Sequence, residues 1–361
     1  DDVTTYVPAM KMFDGIISTN LEGSGTFNEL LLKKFTINYN NTSLKAKGIL
    51  KNLLDADKMN FDISVFDSYI DPSDPNKLLR DLELPEYMEF GVFKIDTLNY
   101  NGGPLDFKTT FAIRTDKGNI NGTANIDLRS AEMIYDAKLI TKNLDIGPFT
   151  SISTDMNSEI KISGVGFDPQ KMKFDVSMNA ASSRFGKKYF DDLNITSSAE
   201  NGLITTTLAL SSDSTSANLL ANLDFSNADD PLYEIKGKVN GLNLAKLLDN
   251  ESLDSELNLS IDASGQGFNP DSMDLFLVTD IQNSRFSDFN IDSTRLIMDI
   301  RRNDGGKKII NIISDIADLT ISGDYLITSL GDVLSREAEI INEAITKKIN
   351  PILGQDSINN S

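Results

Sequence analysis

Three groups of residues have the types and spacing to do chemistry. The adjacent carboxylates Asp191-Asp192 and Asp229-Asp230 are the residue types a glycosidase uses as acid and base. Asp71-Pro72-Ser73-Asp74-Pro75 offers oxygen ligands of the kind calcium takes. Gly164-Val165-Gly166 and Gly265-Gln266-Gly267 have the look of loops that cradle phosphate. None holds up against its own geometry. Both carboxylate pairs fall at expected turns, and adjacent residues on a strand point to opposite faces. The Asp71–Pro75 segment lacks the spaced ligands and terminal Glu of a calcium loop, so a solvated turn is expected there. No Gly-Lys-Ser/Thr follows either Gly-x-Gly, and no helix opens after it, so a bulge or turn is the expected structure.

Composition narrows the chemistry further. The 361 residues include no His, Cys or Trp. That removes thiol nucleophiles, Ser-His-Asp triads, the usual zinc sites and histidine bases. No catalytic residue, metal ligand or cofactor site is expected. With 34 basic and 54 acidic residues the net charge is −20, which repels nucleic acid and disfavours polybasic attachment to anionic lipid. No apolar run reaches the roughly 18 residues that span a bilayer. The first residue is Asp1 and no signal-peptide pattern follows, so the reading is a piece of a longer protein whose anchor lies outside it.

The elements that would carry any function are strands, and they repeat. Gly164-Val165-Gly166-Phe167-Asp168-Pro169 recurs as Gly265-Gln266-Gly267-Phe268-Asn269-Pro270, an offset of 101. Met172 matches Met273 and Ser183-Arg184-Phe185 matches Ser284-Arg285-Phe286 at the same offset. Ser158-Glu159-Ile160 resembles Ser255-Glu256-Leu257 at 97, which implies a four-residue insertion in the second copy. Tyr135 to Ile146 resembles Tyr233 to Leu244. The unit is about 95–100 residues, with about three and a half copies of roughly six or seven strands each.

Period-2 alternation dominates between turn formers such as Asn101-Gly102-Gly103-Pro104, Asn201-Gly202, Asp229-Asp230-Pro231 and Asn303-Asp304-Gly305-Gly306. Short turns predict antiparallel neighbours, hence an all-β, elongated meander. One face is apolar. Its candidate lining residues are Phe107, Phe111, Ile113, Phe174, Val176, Leu208, Leu210, Leu223, Phe225, Ile235, Val239, Leu257, Leu259 and Ile261. Helix is expected only at Asp74–Leu82, over one turn at Ala245–Leu248, and as an amphipathic helix from Leu330 to Ile349 whose apolar residues share one face. The expected units are residues 1–150, 151–250 and 251–325, followed by the helix and a polar tail over 326–361.

About 20 strands present far more apolar area than a soluble monomer leaves bare. A second sheet covers such a face in a sandwich; an apolar guest covers it in an open gutter. Alternation is the same for both. The scarcity of long crossover connections favours the gutter, a hydrophobic groove. Each methylene taken from water gains about 0.8 kcal/mol, so lipid chains suit such a groove.

The block Gly-x-Gly-Phe-[Asp/Asn]-Pro-x-x-Met, followed by a strand and Ser-Arg-Phe, resembles the AsmA-like and TamB proteins of Gram-negative bacteria. So do the Tyr135–Ile146 and Tyr233–Leu244 junctions and Asn41-Thr42-Ser43-Leu44-Lys45-Ala46-Lys47-Gly48. The resemblance covers about residues 15–330, and the Asn-, Asp-, Lys- and Ile-rich composition is similar to Bacteroidota-type members. It implies a taco-shaped β-groove, a periplasmic location, anchoring in the inner membrane through a segment outside this chain, and phospholipid acyl chains as partners. It further implies a non-enzymatic conduit between inner and outer membranes. A scaffold for outer-membrane protein assembly, with an outer-membrane barrel as partner, and a structural array with a closed core stand as alternatives. A polysaccharide-acting enzyme is the most distant reading.

Overall fold

The computed structural model describes residues 17–75, 88–150, 152–245, 251–302, 307–315 and 318–328. Nineteen strands account for most of them. They are β1 (Ile17–Gly25), β2 (Glu29–Tyr39), β3 (Thr42–Lys51), β4 (Asn60–Ile70), β5 (Phe93–Gly102), β6 (Asp106–Thr115) and β7 (Gly118–Asp127). Then come β8 (Ile134–Leu144), β9 (Thr154–Val165), β10 (Lys173–Phe185), β11 (Lys188–Glu200), β12 (Leu203–Ser211) and β13 (Ser216–Asp224). The last are β14 (Leu232–Leu242), β15 (Ser255–Gln266), β16 (Asp274–Phe286), β17 (Phe289–Arg302), β18 (Lys308–Ser314) and β19 (Asp318–Gly323).

Every strand pairs antiparallel with the next, from β1–β2 to β18–β19, in one open sheet without a crossover. The pairing runs through positions 150 and 250 without a break, by way of β8–β9 and β14–β15. Tight turns enforce this order. Asn201 and Gly202 take φ of 53° and 83°, the two left-handed residues a type I′ hairpin needs. Among the described residues, helix is confined to α1 (Gly147–Thr150), two 3-10 turns at Met88–Phe90 and Glu251–Leu253, and short starts at 74–75, 244–245 and 327–328. Most of the expected helices at Asp74–Leu82 and Ala245–Leu248, all of Leu330–Ile349, and the turn at Asn303–Gly306 lie outside the described residues.

A six-strand period is built into the hydrogen bonding. Asp67, Ser182 and Asn283 take left-handed φ of 44°, 47° and 44°. The serine that follows each, Ser68, Ser183 or Ser284, is at most 6 % exposed. These serines sit on β4, β10 and β16. Their hydroxyls accept the backbone N–H of Lys45 (2.8 Å), Asn157 (2.9 Å) and Asn258 (2.8 Å). They donate to the carbonyls of Phe66 (2.8 Å), Ala181 (3.0 Å) and Gln282 (2.9 Å), each two residues earlier. The pairing register slips at the same places: Ser43/Ala46, Ala180/Arg184 and Glu256/Leu259. A bulge strands an N–H from the ladder and bends the strand; the serine satisfies the stranded group.

The same bonds correct the repeat alignment. The hydroxyls of Thr154 and Ser255 both accept a junction N–H, from Ile146 and Leu244 (2.8 Å each). Asn157 and Asn258 both accept an N–H from the end of the preceding strand, Asn143 (3.0 Å) and Gly241 (2.9 Å). Thr154 thus matches Ser255, and the offset of 101 holds along β9 and β15. The 97-residue match of Ser158-Glu159-Ile160 is a coincidence of composition. The length difference lies instead in the connection from β14 to β15, three residues longer than that from β8 to β9.

Two other expectations change. Asp191-Asp192 sits inside β11, not at a turn; Asp192 pairs with Ala181 and Ser211 across both neighbours. Asp74 is no solvated turn residue. It is 2 % exposed, and its carboxylate accepts the Asn41 N–H (3.1 Å), the Asn40 amide (3.2 Å) and the Thr42 hydroxyl (2.9 Å). It ties the β4–β5 connection to the β2–β3 turn.

Candidate functional site

In an antiparallel pair, directly opposed residues point to the same face, so the register traces each face across the sheet. One row runs through Leu98, Phe111, Gly122, Leu139, Ile160, Met178, Ile195, Leu208, Leu219, Gly237, Ile261, Thr279 and Leu296. A parallel row runs through Thr109, Ala124, Ala137, Ile162, Val176, Ser197, Thr206, Ala221, Ile235, Ala263, Leu277, Met298 and Ile312. A third carries Phe107, Ile126, Tyr135, Gly164, Phe174, Ala199, Ile204, Leu223 and Tyr233. No charged side chain stands in any of the three.

The expected lining residues fall on this face. Phe107, Phe111 and Ile113 come from β6, Phe174 and Val176 from β10, Leu208 and Leu210 from β12, and Leu223 from β13. Ile235 and Val239 come from β14, and Leu257, Leu259 and Ile261 from β15. Phe225 lies one residue past β13, at the turn. The apolar face also includes residues that sequence reasoning passed over, among them Leu139, Ile160, Ile162 and Ile195. The signal was there, as alternation in β8, β9 and β11, interrupted by Thr141, Ser158 and Ser197.

The two faces differ in crowding. On β12, Thr206 on the apolar face is half-buried, while its neighbours Thr205 and Thr207 on the other face are exposed. On β13, Leu219 is half-buried and Leu220, facing away, is 39 % exposed. Identical side chains are thus packed closer on the apolar side. Most of the lining is half-buried, neither sealed nor bare. Full burial concentrates near one end of the strands, where Leu144, Met156, Ala180 and Phe190 form a cluster flanked by Ile146 and Leu210. Asp145 pins the connection there. Burial pushes its carboxyl up, but the N–H groups of Thr154 (2.8 Å) and Gly147 (2.9 Å) and the Lys117 ammonium (3.1 Å) outweigh this and hold it below the usual carboxylate range.

The opposite face is mainly polar over β8–β15, with Leu220 among its polar side chains, and turns apolar at Phe276, Val278 and Ile297 on β16 and β17. Its charges pair across strands, Lys138 with Glu159 (3.0 Å) and Arg295 with Asp280 (2.6 Å), and along β9, Lys161 with Glu159 (3.5 Å). Hydrogen bonding and charge from Lys138 hold the Glu159 carboxyl below its ordinary range. Such exposed pairs contribute little stability. Open depressions of about 580 and 720 Å³ lie mainly on this side, lined by groups such as Lys161, Asp175, Thr205 and Glu200. Among the described residues, no three carboxylates cluster as a metal site would, and no helix is long and apolar enough to cross a membrane.

At the other end of the strands, the repeated Gly-x-Gly-Phe motif has a clear role. Gly164 stands opposite Tyr135, and Gly265 opposite Tyr233. A methyl group on either glycine would lie 2.6 or 2.3 Å from the tyrosine hydroxyl, so only glycine lets the ring lie over the backbone. The second glycine, Gly166 or Gly267, turns the chain with φ of 69° or 75°. The phenylalanine then stacks on the tyrosine: Tyr135–Phe167 at 5.0 Å and 2°, Tyr233–Phe268 at 5.8 Å and 20°. These glycines form turns and aromatic seats, and no helix follows them.

No family model matches the chain, and neither a curated protein nor a solved structure does.

Proposed function

We propose that this chain is a non-enzymatic hydrophobic conduit segment for phospholipid, moving it between inner and outer membranes across the periplasm. The observation that carries this reading is the uncharged apolar face that continues strand after strand while staying half-exposed. Nineteen strands at about 4.8 Å each extend over roughly 85 Å. The tighter crowding of the apolar side and the bulges on β4, β10 and β16 support a sheet curved into a groove with that side inward. Acyl chains complete such a groove. A methylene gains about 0.8 kcal/mol on leaving water, and the bilayer offers about the same. The groove therefore need only remove the aqueous barrier, and a lining without charge lets chains slide.

The resemblance to AsmA-like and TamB proteins points the same way. The lack of His and Cys, and the separation of the carboxylate pairs from any shared cleft, support a role without catalysis. A second reading has its own observation. Among the described residues β1 pairs on one side only, and all its residues except Ile17 are exposed. A free edge of this kind can template an incoming strand, as a scaffold for outer-membrane barrel assembly would.

Native mass spectrometry of the purified chain tests the conduit reading. Phospholipid carried through purification, in more than one copy per chain, is the expected result. A chain free of lipid, and unable to take it up from vesicles, would overturn the proposal.

A further inference from the structure

We infer that the two aromatic seats at the open end of the strands bind the ammonium group of zwitterionic lipid heads. The inference rests on the conduit reading and adds a head-group preference to it. Each seat holds the same three kinds of group in the same places. Tyr135 stacks on Phe167, and Tyr233 on Phe268, and the outer rings remain 63 % and 54 % exposed. A carboxylate lies against the turning glycine of each. A methyl group on Gly166 would be 3.2 Å from Glu132 Oε2, and one on Gly267 would be 2.9 Å from Asp230 Oδ1. The backbone beside the carboxylates is held alike: the N–H of Gly166 bonds the Met133 carbonyl and that of Gly267 the Pro231 carbonyl, both at 2.9 Å; Asp230 also accepts the Gln266 amide (2.6 Å), where the first seat has Val165.

Exposed aromatic faces beside a carboxylate are the chemistry that recognises alkylammonium ions. At the first seat the basic side chains nearby are engaged with other acids, Arg129 with Asp106 and Asp127 and Lys171 with Asp168 (3.6 Å); at the second, Lys308 is held by the Asp271 carbonyl (2.5 Å). The seats are six strands apart, roughly 29 Å at the usual strand spacing. They lie at the opposite end of the strands from the buried cluster around Leu144 and Phe190, which leaves this rim as the side where heads meet water. Purely anionic heads meet carboxylates here, in a chain of net charge −20.

The test loads the full chain from vesicles of equal parts phosphatidylethanolamine and phosphatidylglycerol with identical acyl chains. Bound lipid is counted by native mass spectrometry. The native chain is expected to favour the zwitterionic lipid about two- to fivefold, the factor an exposed cation–π contact confers. The Phe167→Leu/Phe268→Leu variant, apolar but without the ring, is expected to lose that preference and keep its total lipid. Glu132→Gln, on an exposed loop, is expected to weaken it and guards against a folding defect in the double variant. Equal uptake of both lipids by the native chain, or a preference unchanged in all variants, overturns the head-group site and leaves the conduit standing. No uptake of either lipid overturns both.

Discussion

Replacing Leu208 and Ile235 by Asp is expected to reduce the lipid carried by this chain at least about a hundredfold. Both side chains stand half-buried on the apolar face, on β12 and β14, in adjacent rows. A carboxylate facing hydrocarbon costs about 2.5–3.5 kcal/mol, so two of them exceed the few kcal/mol that separate bound from free lipid in a sliding site. The fold is expected to tolerate the change. The ladder hydrogen bonds are backbone groups, and both positions keep access to water, so the melting temperature should fall by no more than about 5–10 °C. The matching control is Thr205→Asp with Thr207→Asp, two exposed positions on the polar face of the same strand. That variant should carry lipid normally. Lipid counts by mass spectrometry and transfer between labelled vesicles check both. Undiminished transfer by the Leu208/Ile235 variant would remove the apolar face from the path.

The largest expected effect on stability is that of Gly265→Val. A Cβ there would sit 2.2 Å from the Asp274 carbonyl oxygen and 2.3 Å from the Tyr233 hydroxyl. Backbone oxygen cannot step aside, and displacing Tyr233 also breaks its stack with Phe268 and its hydrogen bond to the Asp274 carbonyl (3.2 Å). A loss of about 2–4 kcal/mol is expected, read from the shift in a urea unfolding curve. Gly323→Ala is the comparison, since a Cβ at that glycine meets only the Tyr325 ring at 3.5 Å. It should change stability by no more than about 1 kcal/mol. A Gly265→Val chain as stable as the native one would mean that Tyr233 does not lie over that glycine.

Much of the fold was legible because alternation and tight turns are local signals. Ile204, Thr206, Leu208 and Leu210 announce β12 and its face, and Asn201-Gly202 announces the turn before it. The 101-residue repeat gave the period, and Ser183-Arg184-Phe185 and Ser284-Arg285-Phe286 marked the bulges without revealing them. What a serine does there depends on an N–H from the neighbouring strand, which no local pattern records. Ser68 does the same on β4 with no Arg-Phe after it, so only the structure links it to the other two. Asp191-Asp192 read as a turn because two adjacent carboxylates usually mark one; pairing with both β10 and β12 overrode that preference. The aromatic seats were hidden for a similar reason. Tyr135 and Phe167 belong to different repeated motifs and meet only because β8 pairs with β9. Asp74 looked like a surface turn, yet the β2–β3 turn folds over its carboxylate.

The face that touches lipid is the claim on which the rest depends, and β12 offers a direct test at single-residue resolution. A photoreactive amino acid is placed at each position from Leu203 to Ser211, one at a time, in cells that make the full protein. Lipid adducts are expected at Ile204, Thr206, Leu208 and Leu210, and not at Thr205, Thr207 or Ala209. Adducts to protein at Thr205 and Thr207 with none to lipid anywhere, or lipid adducts without alternation along the strand, would contradict the account.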